Sequence, residues 1–394
     1  MHNHKRESHF TAKMSPGLLW TLTITTALTV GNVYYSQPLL GEMSNYFNRS
    51  TAEMGSVPTL TQLGYVCGLI FLTPLGDVLE KRNLLVSFFI LAAVSLFGAS
   101  LSSSFYIFLF FSFLIGATAV LVQVLIPFVA TLSSIESRGK NLGLVLSGAL
   151  VGVLISRTLS GFLAELLGWR GVYIFAGSVM LGLAFLLKKW LPQHQADEKI
   201  KYSDLIISVW AFVRTMPKLR NISITAAFMY ASLCTFWVSL VFLLHSPHYN
   251  LGPSAAGLFG LVGALSALAA NVAGRYADYI GPRRLVKACM LMMAVGYIVM
   301  GFFYTSLVGL VIGTILLDLA AQSATVSNQT QIYSLSTGAP TRMNTVYKIF
   351  YFFGGAVGSF ISTLCFEHWG WAGVTAAGLT LLLLALISEK ISSS

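Results

Sequence analysis

The chain has 394 residues, 56% of them hydrophobic and only 10% charged, with a mean hydropathy of +0.76. A soluble domain carries about 25% charged residues, and a water-facing surface could not be covered with so few polar groups. The balance excludes a soluble enzyme, a disordered chain and a disulfide-stapled secreted module, and it fits a chain dissolved in lipid.

A membrane-crossing helix needs about 20 mostly apolar residues. Twelve such runs follow one another, near 16–40, 54–75, 84–101, 105–132, 142–167, 171–188, 221–246, 254–275, 285–305, 308–333, 345–366 and 371–388. The first run is too long for a cleavable signal and lacks a small-residue cleavage site, so it is expected to remain as the first helix. The longest break, from Lys188 to Arg220, separates six spans from six. It opens with Lys188 and Lys189, then sets Leu205, Ile206, Val209, Trp210 and Val213 on one helical face, the pattern of an amphipathic helix at the inner interface. The expected organisation is an N-tail (1–15), a six-helix bundle (16–188), a linker (189–220), a second bundle (221–388) and a C-tail (389–394).

There are 24 Lys and Arg against 14 Asp and Glu, a formal net charge of +10. In a membrane chain the useful question is which loops hold the basic residues, because Lys and Arg collect on the cytoplasmic side. With the N-terminus inside, 21 of the 24 fall on the tails, the inner loops or the linker, leaving Arg49 and Arg170 outside and Arg157 within a span. The basic excess therefore reads as an orientation signal, and no nucleic-acid partner is expected. Cys67, Cys234, Cys289 and Cys365 all lie within spans at no metal-ligand spacing, and read as packing residues.

The two halves repeat. Glu165, Gly168, Trp169, Gly171 and Val172 return as Glu367, Gly370, Trp371, Gly373 and Val374, displaced by 202 residues. Gly76 and Asp77 with the following Lys81 and Arg82 return in Asp278 with Arg283 and Arg284, displaced by 201 at the aspartate. Parallel six-helix repeats are an architecture of secondary transporters. The duplicated inner-loop motif and the twelve-span layout resemble the major facilitator superfamily over essentially the whole chain. The resemblance implies an all-α membrane protein with two pseudo-symmetric six-helix bundles. Asn32, Tyr34, Tyr35, Gln37 and Pro38 in the first span, Gln123 and Pro127 in the fourth, Gly152, Arg157 and Gly161 in the fifth, and Asn328, Gln329 and Gln331 in the tenth are similar to bacterial drug:proton antiporter-like exporters of the acriflavine-sensitivity type. Two positions depart from that branch: Ser156 and Arg157 stand where a glycine pair is expected, and Ser112 where relatives place an arginine.

In the inner-loop motif Asp77 sits at a helix C-terminus, where the macrodipole disfavours a carboxylate, and Lys81 and Arg82 are the nearest cations. The resemblance implies that this cluster and its repeat form a cytoplasmic gate, a charge latch between the halves. Within the hydrocarbon zone the reading counts two ionisable groups, Arg157 and Asp318. A charge at a helix centre costs about 2.5–3.5 kcal/mol on insertion scales, so its default reading is functional. Arg157 is ~16 Å and Asp318 ~15 Å from the outer end of its helix at 1.5 Å per residue, so the two are expected to face one cavity and pair, directly or through water, in a proton-coupling role. Alternatives at this point are a constant salt bridge without proton traffic, and Arg157 as an anchor for an anionic substrate.

Around them the expected substrate cavity gathers Asn32, Tyr34, Tyr35, Gln37, Gln123, Gln322, Asn328 and Gln329, with Phe236 and Trp237 as an apolar wall. No phosphate-binding loop and no nucleophile-base or metal set occurs in the spans, so neither ATP coupling nor an enzyme is expected. The function read from this is alternating-access, proton-coupled efflux of small amphipathic compounds, with transport of a defined metabolite as the alternative. Expected partners are the bilayer, a small-molecule substrate and protons, with a proton gradient as energy source and no cofactor. The expected setting is a monomer in a bacterial inner membrane, with both termini cytoplasmic.

Overall fold

The computed structural model describes residues 14–193, 201–263, 281–335 and 340–391, and among these no strand occurs. Among the described residues eight helices are long and apolar enough to cross a membrane. Two of them, Arg138–Trp190 and Thr341–Ile391, have 53 and 51 residues. A straight helix of that length would reach about 75–80 Å, more than twice the hydrocarbon core. Each instead reverses at one glycine, Gly168 (φ 69°) and Gly370 (φ 58°), in the left-handed region that costs a side chain-bearing residue most. Each therefore supplies two crossings: the fifth and sixth spans, and the eleventh and twelfth.

The tryptophan after each glycine explains the 202-residue repeat. Trp371 is buried and its indole N–H donates to the Met300 carbonyl at 3.0 Å. Trp169 is buried among Phe47, Phe108 and Tyr173, while Arg170 beside it donates to Ser100 and Ser102 carbonyls at 2.9 and 3.1 Å. In both halves the acceptors lie at the C-terminal end of the third helix, Lys81–Leu101 or Pro282–Phe302, where carbonyls lack intrahelical donors. Each reversal is thus tied to the third helix of its own bundle, by the arginine after the tryptophan in the first half and by the tryptophan itself in the second.

The remaining crossings are Thr51–Val78, Phe105–Leu132, Pro217–His245 and Leu307–Ser334, with Pro253–Gly263 as the described part of the eighth span. The first span differs from its expected form. The helix Pro16–Gly31 stops, a 3-10 turn follows at Gln37–Leu39, and a second helix runs Leu40–Phe47. Small residues bring helices together where no hydrophobic force acts between them: Gly148 and Gly152 lie against the backbone of Thr23 and Ala27, and Gly354 and Gly358 against that of Ala227 and Ala231. These are the first-to-fifth and seventh-to-eleventh contacts, equivalent in the two halves.

The halves meet along the second and eleventh spans, which run antiparallel. From the end of the bundle opposite the termini, Ala52 N–H donates to Glu367 Oε2 at 2.6 Å and Thr59 Oγ1 to the Ala356 carbonyl at 3.2 Å. Further in, Gln62 Nε2 donates to Ser359 Oγ at 3.0 Å, and Tyr65 stacks on Phe352 with ring centroids 4.0 Å apart. Just beyond Tyr65 the second span winds as a π-helix over Gly68–Leu72, a form that recurs at functional sites. In the linker, the helix Tyr202–Thr215 buries Leu205 and sets Val209, Phe212 and Val213 against Leu219, Met343 and Tyr347. Trp210, expected on the same face, is exposed, with Arg214 over its ring at 5.7 Å.

Candidate functional site

The break in the first span positions the centre of the site. Because the helix ends at Gly31, the following turn and the 3-10 segment carry Tyr34 and Gln37 to the fifth span. Gln37 Oε1 accepts from Arg157 Nε at 2.7 Å, and the Arg157 guanidinium lies 4.8 Å from the Tyr34 ring centroid and 4.1 Å from that of Trp237. Each desolvated cation–π contact contributes roughly 0.5–2 kcal/mol. Two rings and two hydrogen bonds, the second from Arg157 to the Val153 carbonyl at 3.4 Å, therefore offset the cost of placing the cation at this depth.

Trp237 also donates its indole N–H to Asp318 Oδ1 at 3.2 Å, so the ring stands between the two charges. Arg157 and Asp318, both buried, make no ion pair with each other; the structure joins them through Trp237. Asp318 Oδ2 is buried without a hydrogen-bond partner among the described residues. The eighth span makes room for it: a Cβ on Gly263 would stand 2.5 Å from Oδ2, and one on Gly257 2.9 Å from the Arg157 carbonyl. Thr158 Oγ1 donates to the Gly257 carbonyl at 2.7 Å, fixing the fifth span against the eighth.

Toward the termini an aromatic wall continues. Tyr34 and Tyr230 hydroxyls are 3.0 Å apart, and Tyr230 stacks on Tyr351 at 3.8 Å. Gln123 is half-buried and donates to the Tyr65 hydroxyl at 3.0 Å. Asn32 is buried in the turn after the first helix, its Oδ1 unpartnered among the described residues. Gln322 and Gln329, both half-buried, fall on the helix face of Asp318, one and three turns further along the tenth span. Asn328 is buried and, with Arg283 and Glu389, lines a cavity of about 230 Å³ inside the second half.

Two expected cavity residues lie elsewhere. Tyr35 turns into the core of the first half with Leu22 and Leu39, because the residue after Tyr34 in a tight turn faces the opposite way. Phe236 is fully buried against Trp371, one helix position from Trp237 and so on another face. The count of intramembrane charges also needs correction. The count of two leaves out Lys348, near the start of the eleventh span; its helix begins at Pro340 and places it two turns in. There it is half-buried and makes no hydrogen bond or ion pair among the described residues. Its four-residue spacing from Phe352 was the signal that a hydropathy boundary obscured.

In the inner-loop motif Gly76 is buried against Val124, and Asp77 is exposed in the short helix Leu75–Val78. Glu80 caps the next helix, accepting from Arg82 N and Asn83 N at 3.0 and 2.7 Å. Lys81 Nζ lies 5.8 Å from the Phe128 ring centroid, and Arg82 donates to the Leu191 carbonyl at 3.5 Å. In the repeat, Arg283 donates to Glu389 Oε1 at 2.6 Å and Lys287 Nζ is 2.8 Å from Oε2; Arg284 is exposed, and Asp278 lies outside the described residues. The twelfth span continues through Ile391, so Glu389, assigned by the sequence to a tail, is a buried helical residue. The described contacts of Arg82 and Arg283 thus reach the end of the last helix of their own half rather than the opposite half.

The Major Facilitator Superfamily model matches residues 22–278 and 248–390. The chain is 38% identical over 375 residues to the uncharacterized transporter YgaY of Escherichia coli O157:H7, covering 95% of each. It is 24% identical to the uncharacterized MFS-type transporter YybF of Bacillus subtilis, covering 91% of this chain and 89% of that one. Among solved structures, a bacterial homolog to the human lysosomal transporter Spinster, inward-facing and unoccupied, superposes with a TM-score of 0.74 at 16% identity and 95% coverage of both chains. The nucleoside transporter NupG gives the same TM-score at 13% identity, covering 95% of this chain and 98% of that one.

Proposed function

The chain belongs to the major facilitator superfamily and is a multi-pass membrane transporter, and we propose that it couples proton movement to efflux of small amphipathic compounds through Asp318. The observation that carries this is the asymmetry of the carboxylate: Oδ1 is held by Trp237 while Oδ2 is buried and bare among the described residues, packed where Gly263 has no side chain. Oδ2 is the atom that takes the proton. Protonation turns a charge-assisted hydrogen bond from Trp237 into a neutral one of about half the strength. It also removes the negative charge facing Arg157. Both changes loosen the ring that joins the seventh and tenth spans to the fifth, and so bias the contact between halves that alternating access must make and break.

The tyrosine and tryptophan wall, with few fixed polar groups, suits amphipathic molecules. The sorting of 21 basic residues to one side supports placing both termini on the cytoplasmic side of a bacterial inner membrane, so that the end of the bundle holding Ala52 and Glu367 faces outward. The test is purified protein in proteoliposomes containing a pH-sensitive dye, challenged with a panel of aromatic compounds. Asp318→Asn is expected to abolish substrate-driven proton flux while substrate exchange across the membrane continues. Unchanged proton flux in Asp318→Asn overturns the coupling role.

A further inference from the structure

The residue left unused by this reading is Lys348. The eleventh span meets the second through Phe352 on Tyr65, Gly355 beside Gln62, and Ser359 bonded to Gln62. Lys348 is four residues before Phe352 and eleven before Ser359, so helical geometry puts it on this same face, toward the π-helical turn Gly68–Leu72. It is therefore a cation at the seam between the halves, with no counter-charge among the described residues.

From Lys348 an unbroken row of rings leads to the other cation. Tyr351 is one turn on, Tyr230 stacks on it at 3.8 Å, Tyr34 touches Tyr230 through the hydroxyls at 3.0 Å, and Arg157 lies over Tyr34 at 4.8 Å. The path thus has a basic group at each end and aromatic faces between. Arg157 and Lys348 leave a net positive charge here whether or not Asp318 carries its negative charge. A cationic substrate entering here would add to an uncompensated positive charge at this low-dielectric seam, whereas an anion would supply the missing counter-charge.

We propose that the row from Lys348 to Arg157 is a binding path for organic anions carrying an aromatic ring, with Lys348 holding the acidic group at the end nearer the termini and Arg157 receiving it at mid-depth. This names the substrate class for the transport reading above, and it rests on that reading only for the direction of movement. The ring lies on the tyrosine faces, which accept any planar aromatic, and the charge decides which aromatic is accepted.

The test uses two isosteric probes that differ in charge, 1-naphthoate and 1-naphthylmethylammonium, titrated calorimetrically into the purified full-length protein. The wild type is expected to bind naphthoate at least tenfold more tightly than the ammonium probe, about 1.4 kcal/mol. Lys348→Met should abolish that preference and Lys348→Arg should restore it, with both variants eluting as the wild type does. Equal or tighter binding of the ammonium probe, or unchanged naphthoate affinity in Lys348→Met, overturns the proposal. So does complete displacement of naphthoate by equimolar chloride, which would make the path a simple halide site. Asp318→Asn should still bind naphthoate. If that variant also keeps proton flux while the Lys348 result holds, the coupling role alone fails.

Discussion

Replacing Trp237 by Phe separates the two things its ring does. The indole N–H to Asp318 Oδ1, at 3.2 Å, is lost, while a six-membered ring remains near the Arg157 guanidinium, now 4.1 Å from the indole. A hydrogen bond to a charged group contributes about 1.5–3 kcal/mol. At 3.2 Å the lower end applies, and with Oδ2 already bare the variant leaves the whole carboxylate unpartnered among the described residues. We expect Trp237→Phe to lower the unfolding free energy by about 1.5 kcal/mol, measured by SDS titration in mixed micelles. Trp237→Leu, which also removes the face under Arg157, should cost roughly 0.5–2 kcal/mol more. The decisive assay is a double-mutant cycle with Asp318→Ala. If Trp237 holds the carboxylate, Trp237→Phe should be nearly silent in the Asp318→Ala background. A coupling energy below about 0.5 kcal/mol, the additivity limit for independent sites, would refute the contact.

Two further variants test the packing and the inner ends of the helices. A Cβ on Gly116 or Gly64 would fall within van der Waals contact of the Thr61 or Phe113 carbonyl, and backbone cannot yield as a side chain does. Gly116→Ala and Gly64→Ala should each destabilise by about 1–3 kcal/mol or more, seen as a lower melting temperature in detergent. Gly17→Ala, with nothing within 4 Å, should leave the melting temperature unchanged or raised. Glu389→Gln removes the shared partner of Arg283 and Lys287. Because both cations are 46% exposed, the loss should be about 1 kcal/mol, the upper end for an exposed pair rather than a buried one, and should shrink as salt is raised. A salt-independent loss would place the role of Glu389 in packing.

Amino-acid type and order were sufficient for the membrane class, the crossings and the duplication, because each is a local or periodic property. An apolar run of about 20 residues has few options in lipid other than a helix. A glycine and tryptophan repeated at 202 residues mark the same reversal twice, since Gly168 and Gly370 both take a positive φ and both following indoles are buried. That Arg157 and Asp318 lie buried within the spans was legible too, because a charge against so apolar a background stands out.

What joins those charges was not legible. Only the assembled fold puts Trp237 between Arg157 and Asp318, sends Tyr35 into one core while Tyr34 faces the seam, and sets Lys348 on the face between the halves. The physical reason is the same in each case. Helical periodicity tells which residues share a face, but the facing helix is chosen by close backbone approach at glycines far apart in sequence, such as Gly257 on the fifth span and Gly355 beside Gln62. Composition and order determined that this protein lies in a membrane as two similar halves; the packing of one half on the other decided which of its few charges meet, and through which ring.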